Sequence, residues 1–151
     1  MKSKLIVLSI FFLLASIANS LEKDNIGYHP RNQEAIDFVD KWLTYKDTGD
    51  SINSFDMVSK KYVSSLDAWQ STLNQEQDEL GKLLSRELIR AVAYQDPPSA
   101  PAPGLYIAVE YNSVYEKAKK HFQYIVVHSA DEGGFKINKR RVNVLLTPPE
   151  Q

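Results

Sequence analysis

Apolar residues recur at three- and four-residue spacing as far as Gly81 and alternate beyond it. That change of period commits the chain to helices first and sheet second. Ala35, Ile36, Val39, Trp42 and Leu43 form one stripe, predicting a helix that starts at Asn32. The Asn32 side chain is expected to cap it, and Asp47-Thr48-Gly49 to end it. A second helix is expected from Asp50 or Ser51, burying Phe55, Val58 and Tyr62. A third follows Ser64-Ser65 with Leu66, Trp69, Leu73 and Leu80 inward, the polar run Asn74 to Glu79 facing water and Gly81 closing it.

Leu83 to Tyr94 fits either a strand or a continued helix, and the β-rich segment downstream needs a partner, which favours the strand. Residues 95–104 hold four of the chain's seven prolines and must be a loop, since proline cannot donate to a ladder. Leu105, Ile107, Val109 and Tyr111 alternate with Tyr106, Ala108 and Glu110 as a strand. A turn near Tyr115-Glu116-Lys117 leads to another, about His121 to Ser129, and Asp131-Glu132-Gly133-Gly134 reads as a hairpin turn. In the last strand Phe135 and Ile137 are odd while Val142 and Val144 are even, implying a bulge between Lys139 and Arg141. The order implies an α+β domain, three N-terminal helices packed on one face of a four-stranded antiparallel sheet.

Lys2 and Lys4 precede the apolar stretch Leu5 to Ala15 and the small residues Ser16 to Ser20. That pattern is a secretory signal peptide with cleavage after Ser20, or after Ala18, and its apolar run is short for a membrane span. The expected organisation is a signal peptide at 1–20, a polar tether at 21–31 and one domain at 32–147. Removing residues 1–20 from the 151 leaves 131, enough to bury a core without staples. There is no cysteine, so disulfides, thiolate metal sites and a cysteine nucleophile are excluded. The processed chain carries 16 basic and 19 acidic residues, a net of −3, which argues against nucleic acid as a partner. No second run of membrane length follows, so no membrane insertion is expected once the signal is removed.

Trp42-Leu43 leading to Asp47-Thr48-Gly49-Asp50, then Trp69, Leu80-Gly81-Lys82-Leu83-Leu84-Ser85-Arg86 and Pro103-Gly104-Leu105-Tyr106 through Tyr111, resemble an exported bacterial family, domain of unknown function 4019. The resemblance covers about Ala35 to Phe135. It implies the cystatin-like superfamily that includes nuclear transport factor 2 and ketosteroid isomerase, hence a bent sheet wrapped around helices in a cone. Phe55 and Phe135 replace the tryptophans such a pattern carries. Phe122 and Gln123 stand where an acid is expected in the third strand, and the tail Lys139 to Val144 lacks the glycine-aromatic ending. The resemblance implies a fold and a location and brings no active site.

Candidate proton-transfer groups are Glu110, His121, His128, Tyr106, Tyr111 and Tyr124. Glu110 reads as a solvated carboxylate on a polar strand face. His121 and His128 lie seven apart and should point to opposite faces, so neither a dyad nor a shared metal is expected. His29 offers no third ligand spacing, and no metal or other cofactor is anticipated. Trp42 and Trp69 read as core aromatics with a pocket wall as the alternative, whereas Tyr111 and Tyr124 fit core and cavity equally. Arg86 is the best single candidate for an anion contact; its alternative is a pair with the acidic third helix. Two basic clusters, Lys117-Ala118-Lys119-Lys120-His121 and Lys136 with Lys139-Arg140-Arg141, are expected to meet at one sheet end, as a binding patch or a solvated edge.

These features describe an exported, soluble, non-catalytic domain that binds an envelope protein or small molecule, with Arg86, Tyr111, Tyr124, Trp42 and Trp69 as ligand-contact candidates. A small-molecule isomerase or lyase using the cone is the alternative, and a homodimer through the sheet is a third possibility.

Overall fold

A computed structural model describes residues 27–130 and 133–146. The leader, most of the tether, Asp131-Glu132 of the turn and the residues from Thr147 onward lie outside the described residues. The helices are α1 (Asn32–Asp47), α2 (Ser51–Asp56) and α3 (Leu66–Leu80), and the strands are β1 (Leu83–Gln95), β2 (Leu105–Tyr115), β3 (Ala118–Ser129) and β4 (Lys136–Leu146). All neighbouring strands pair antiparallel in the order β1-β2-β3-β4, giving an α+β domain with an open sheet.

Local chemistry sets most boundaries. Ser65 caps α3 by accepting from the Ala68 amide, and Asp50 does the same for α2 through Asn53. Gly49 and Gly81 follow α1 and α3 at φ +74 and +71, where a side chain would be strained. Asn32 corrects the expected cap. It is the first helical residue, and its Nδ2 donates instead to the Ala91 carbonyl of β1, fastening α1 to the sheet. The second helix is also shorter than its apolar spacing suggests. It stops at Asp56, and Val58 instead forms a parallel bridge to Ile137. Tertiary pairing there outcompetes helical propagation.

The core lies between α1 and one sheet face. Ala35, Val39, Trp42 and Leu43 meet Ile107, Val109, Ile125, Val127 and Ile137, and Trp69 and Leu73 of α3 close over them. The Trp42 and Trp69 rings stack 5.8 Å apart, and Trp69 Nε1 donates to Ser54 Oγ at 2.8 Å. The bulge expected in β4 falls one position earlier, at Asn138: Val126 pairs with Lys139 and Val127 with Ile137. Its extra residue still changes the parity, so Ile137 and Arg140 both face the helices. Further register shifts near Leu84 and Ile89 kink β1.

The 96–104 loop is tied down at its base. The Asp96 carboxylate accepts from the Gly104 amide at 2.6 Å, and a Cβ at Gly104 would stand 2.5 Å from the Ser129 carbonyl, at φ +126. Gly104→Ala is expected to lower stability by about 1–2 kcal/mol and raise the mobility of residues 96–104. Thermal unfolding and hydrogen exchange would check both; an unchanged midpoint would show that Ser129 yields freely.

Candidate functional site

The sheet has two faces of different chemistry. Under the helices, side chains from distant segments form a buried ionic network. Glu76 of α3 accepts from Lys46 Nζ at 2.8 Å and is held bidentately by the Arg140 guanidinium. Lys46 and Arg140 are 3% and 5% exposed. Burial alone would raise the Glu76 carboxyl, but attraction to Lys46 and Arg140 overcomes it and brings it down to about 2. Lys46 moves against its own ion pair: burial and repulsion from Arg140 outweigh its attraction to Glu76, so its ammonium is held less tightly than usual. Two cations share one close anion, and the anion gains more. Glu76 thus departs from the water-facing run in which the sequence placed it.

Beside this triad, Arg86 pairs with Asp47 at 2.7 Å and donates to Ser113 Oγ and the Tyr115 hydroxyl. Its partner belongs to α1 and not to the acidic third helix. Tyr111 donates to Asp40 at 2.5 Å, and burial with that bond pushes its phenol well above the usual range. His121 packs edge-on against Tyr115, 5.0 Å between centroids, and is forced down to about 4 by burial first and the Arg140 and Lys46 charges second. The interior therefore gathers groups typical of proton transfer. The cleft that reaches it, between Lys46, Glu76, Gln77 and Tyr115, holds about 20 Å³, room for about one water.

The opposite face is open. Across it run the ladder rows Tyr94–Tyr106–His128–Lys136, Val92–Ala108–Val126–Lys139, Arg90–Glu110–Tyr124–Arg141 and Glu87–Asn112–Phe122–Asn143. The proline loop leans over one end, where Tyr106 donates to the Ala102 carbonyl and the His128 ring donates to that of Pro103. The Tyr106 and His128 rings stack beneath it at 4.2 Å. What remains is a groove of about 860 Å³ between Pro97–Pro101, the aromatic floor and the β4 rail. Glu110 corrects another expectation: it is buried, and Arg90 holds it with two bonds of 2.9 Å.

The fold also separates the two basic clusters. Lys136, Lys139 and Arg141 pair with His128, Val126 and Tyr124, while Lys120 lies opposite Leu145 at the other end. Arg140 and His121 are buried under the helices, and Lys117 donates to the Asp78 carbonyl. No common patch forms. Of the ligand-contact candidates, Trp42, Trp69, Arg86 and Tyr111 lie on the helix side and Tyr124 alone on the open face, so the structure does not bring the five together. His121 and His128 point to opposite faces, and among the described residues no three His, Asp or Glu side chains gather as for a metal.

A family model described as Protein of unknown function (DUF4019) matches residues 38–138, more than half of the chain. The chain belongs to the DUF4019 family. No curated protein matches it. The match runs from Phe38 within α1 to Asn138 at the β4 bulge, so the DUF4019 region includes nearly the whole groove floor and every member of the interior network except Arg140. One departure now has a place: Gln123, where the resemblance leads one to expect an acid, lies fully buried with Oε1 accepting from Arg140 at 2.9 Å. A signal for the groove was present in the sequence. The alternate positions of β2 and β3 opposite the core carry Tyr106, Phe122 and Tyr124 where a solvated face would carry short polar residues.

Proposed function

We propose that this DUF4019 chain is an exported, non-catalytic ligand-binding module of the cell envelope, built on the cystatin-like, nuclear transport factor 2-like cone, and that its ligand lies in the open-face groove. One observation carries the reading. The groove offers about 860 Å³ lined by aromatic and cationic side chains, while the titratable interior has room for about a water molecule. An isomerase or lyase would need an uncommitted acid or base beside the space, whereas the groove's carboxylate, Glu110, is held by two Arg90 bonds and Tyr106 donates to the Ala102 carbonyl. The leader pattern supports export, and ring faces with free charge support binding.

Val126 stands at the groove floor, half-buried on the open face. Val126→Trp fills the groove without entering the core or changing its charge. Native mass spectrometry of protein purified gently from its producing cells is expected to find a small molecule on the wild type and at least ten-fold less on the variant, with unchanged unfolding midpoints. Equal retention by both proteins would move the binding site elsewhere and end this reading.

A further inference from the structure

We propose that the groove takes an acidic saccharide, a short chain of pyranose rings bearing carboxylates; this rests on the groove reading above and names its ligand class. Lys139 and Arg141 are exposed on the open face of β4, two residues and so about 7 Å apart. Neither has an ion-pair partner among the described residues. Across the groove Arg90 and Glu110 cancel each other, leaving an excess of two positive charges. Between these rails lie ring faces. Tyr124 and Phe122 are half-buried, and Tyr94 is 45% exposed.

The three chemistries match one ligand. Flat aromatic faces stack on the apolar C–H face of a pyranose, as they do on any flat apolar surface. The Tyr94 and Tyr124 hydroxyls have no hydrogen-bond partner among the described residues, so they are open to sugar hydroxyls. Lys139 and Arg141 meet carboxylates with charge-assisted bonds. Single-stranded nucleic acid would also stack, but it wants a cation for each phosphate it tracks, and this groove has two in a chain of net charge −1. An anionic lipid surface is recognised by clusters of about four to eight basic residues; of the four on this face, Arg90 is neutralised by Glu110 and Lys136 donates to the Asp56 carbonyl, which leaves two.

The test is a titration of the 15N-labelled, natively processed protein with trigalacturonate, with maltotriose as the neutral probe of equal ring number and with hexathymidylate as the nucleic-acid probe. Trigalacturonate is expected to shift the Tyr124, Val126 and Arg141 amides saturably. Its affinity should fall at least ten-fold in the Lys139→Ala, Arg141→Ala double variant and with added salt, and maltotriose should bind at least ten-fold more weakly. Equal shifts from maltotriose would overturn the acidic class while leaving the groove as the site. Tighter binding of hexathymidylate would replace it with nucleic acid, and silence toward trigalacturonate would reject it outright. The groove itself stands or falls separately, on ligand retention by the Val126→Trp protein.

Discussion

Replacing Glu76 with glutamine is expected to destabilise the fold by about 3–5 kcal/mol. Glutamine keeps the shape and one acceptor but removes the charge that Lys46 and Arg140 share. Both cations are nearly sealed from water, and the remaining acid near the ammonium, Asp47, stands 3.4 Å from Lys46 and already serves Arg86. Net stabilities of domains run at about 5–15 kcal/mol, so such a loss brings the variant close to unfolding at room temperature. Urea unfolding would measure it. The triple variant Lys46→Met, Glu76→Leu, Arg140→Met separates charge from packing, because a buried ion cluster can be replaced by apolar side chains at little cost. It is expected to recover most of the loss. A Glu76→Gln protein within 1 kcal/mol of wild type would show that the triad holds nothing together.

Acid should unfold this protein in two stages, the first governed by His121. Its folded value of about 4 lies below the ordinary 6.5, so the unfolded chain takes up the proton first as pH falls. The stability associated with the neutral ring is therefore complete above pH 6.5 and is lost between 6.5 and about 4. The ring is 1% exposed but shallow, with Val144 beside it across the ladder 38% exposed, and the loss is on the order of 2–3 kcal/mol. Glu76 acts in a lower window: its stabilisation is present above the ordinary 4.5 and disappears as pH falls toward about 2. Urea midpoints at pH 7, 5.5 and 4.5 should decline for wild type and stay nearly level for His121→Phe, which keeps the edge contact with Tyr115. Parallel decline in both proteins would assign the acid sensitivity to another group.

The residues that announced themselves in sequence did so through short-range chemistry. The period change at Gly81, the Ser65 and Asp50 caps, the proline loop and the parity flip in β4 all depend on neighbours a few positions away. The strand over Leu83–Tyr94 was legible only because the downstream strands needed an edge partner, and β1 indeed pairs along its length with β2. Long-range electrostatics was hidden. Lys46, Glu76 and Arg140 come from three elements, and nothing local distinguishes Glu76 from the acids beside it. Its position in α3, three residues after Leu73 and four before Leu80, already put it near the inward face. Glu110 was misplaced for a related reason: a strand's polar face is solvated only when nothing neighbouring covers it, and here Arg90 and the aromatic floor do. The basic clusters failed on register, since a bulge and a long β3 slid β4 so that its charges lie mid-strand.

The faces of β3 and β4 answer to separate constraints. Ile125, Gln123 and Arg140 are committed to what lies beneath the helices, whereas Tyr124, Lys139 and Arg141, interleaved with them, face the open side of the sheet. Substitutions at every second position of these strands are therefore expected to alter the open face alone, while the intervening positions are held by the core. Under the proposed reading, one side of the sheet can be rewritten for a new ligand without disturbing the other.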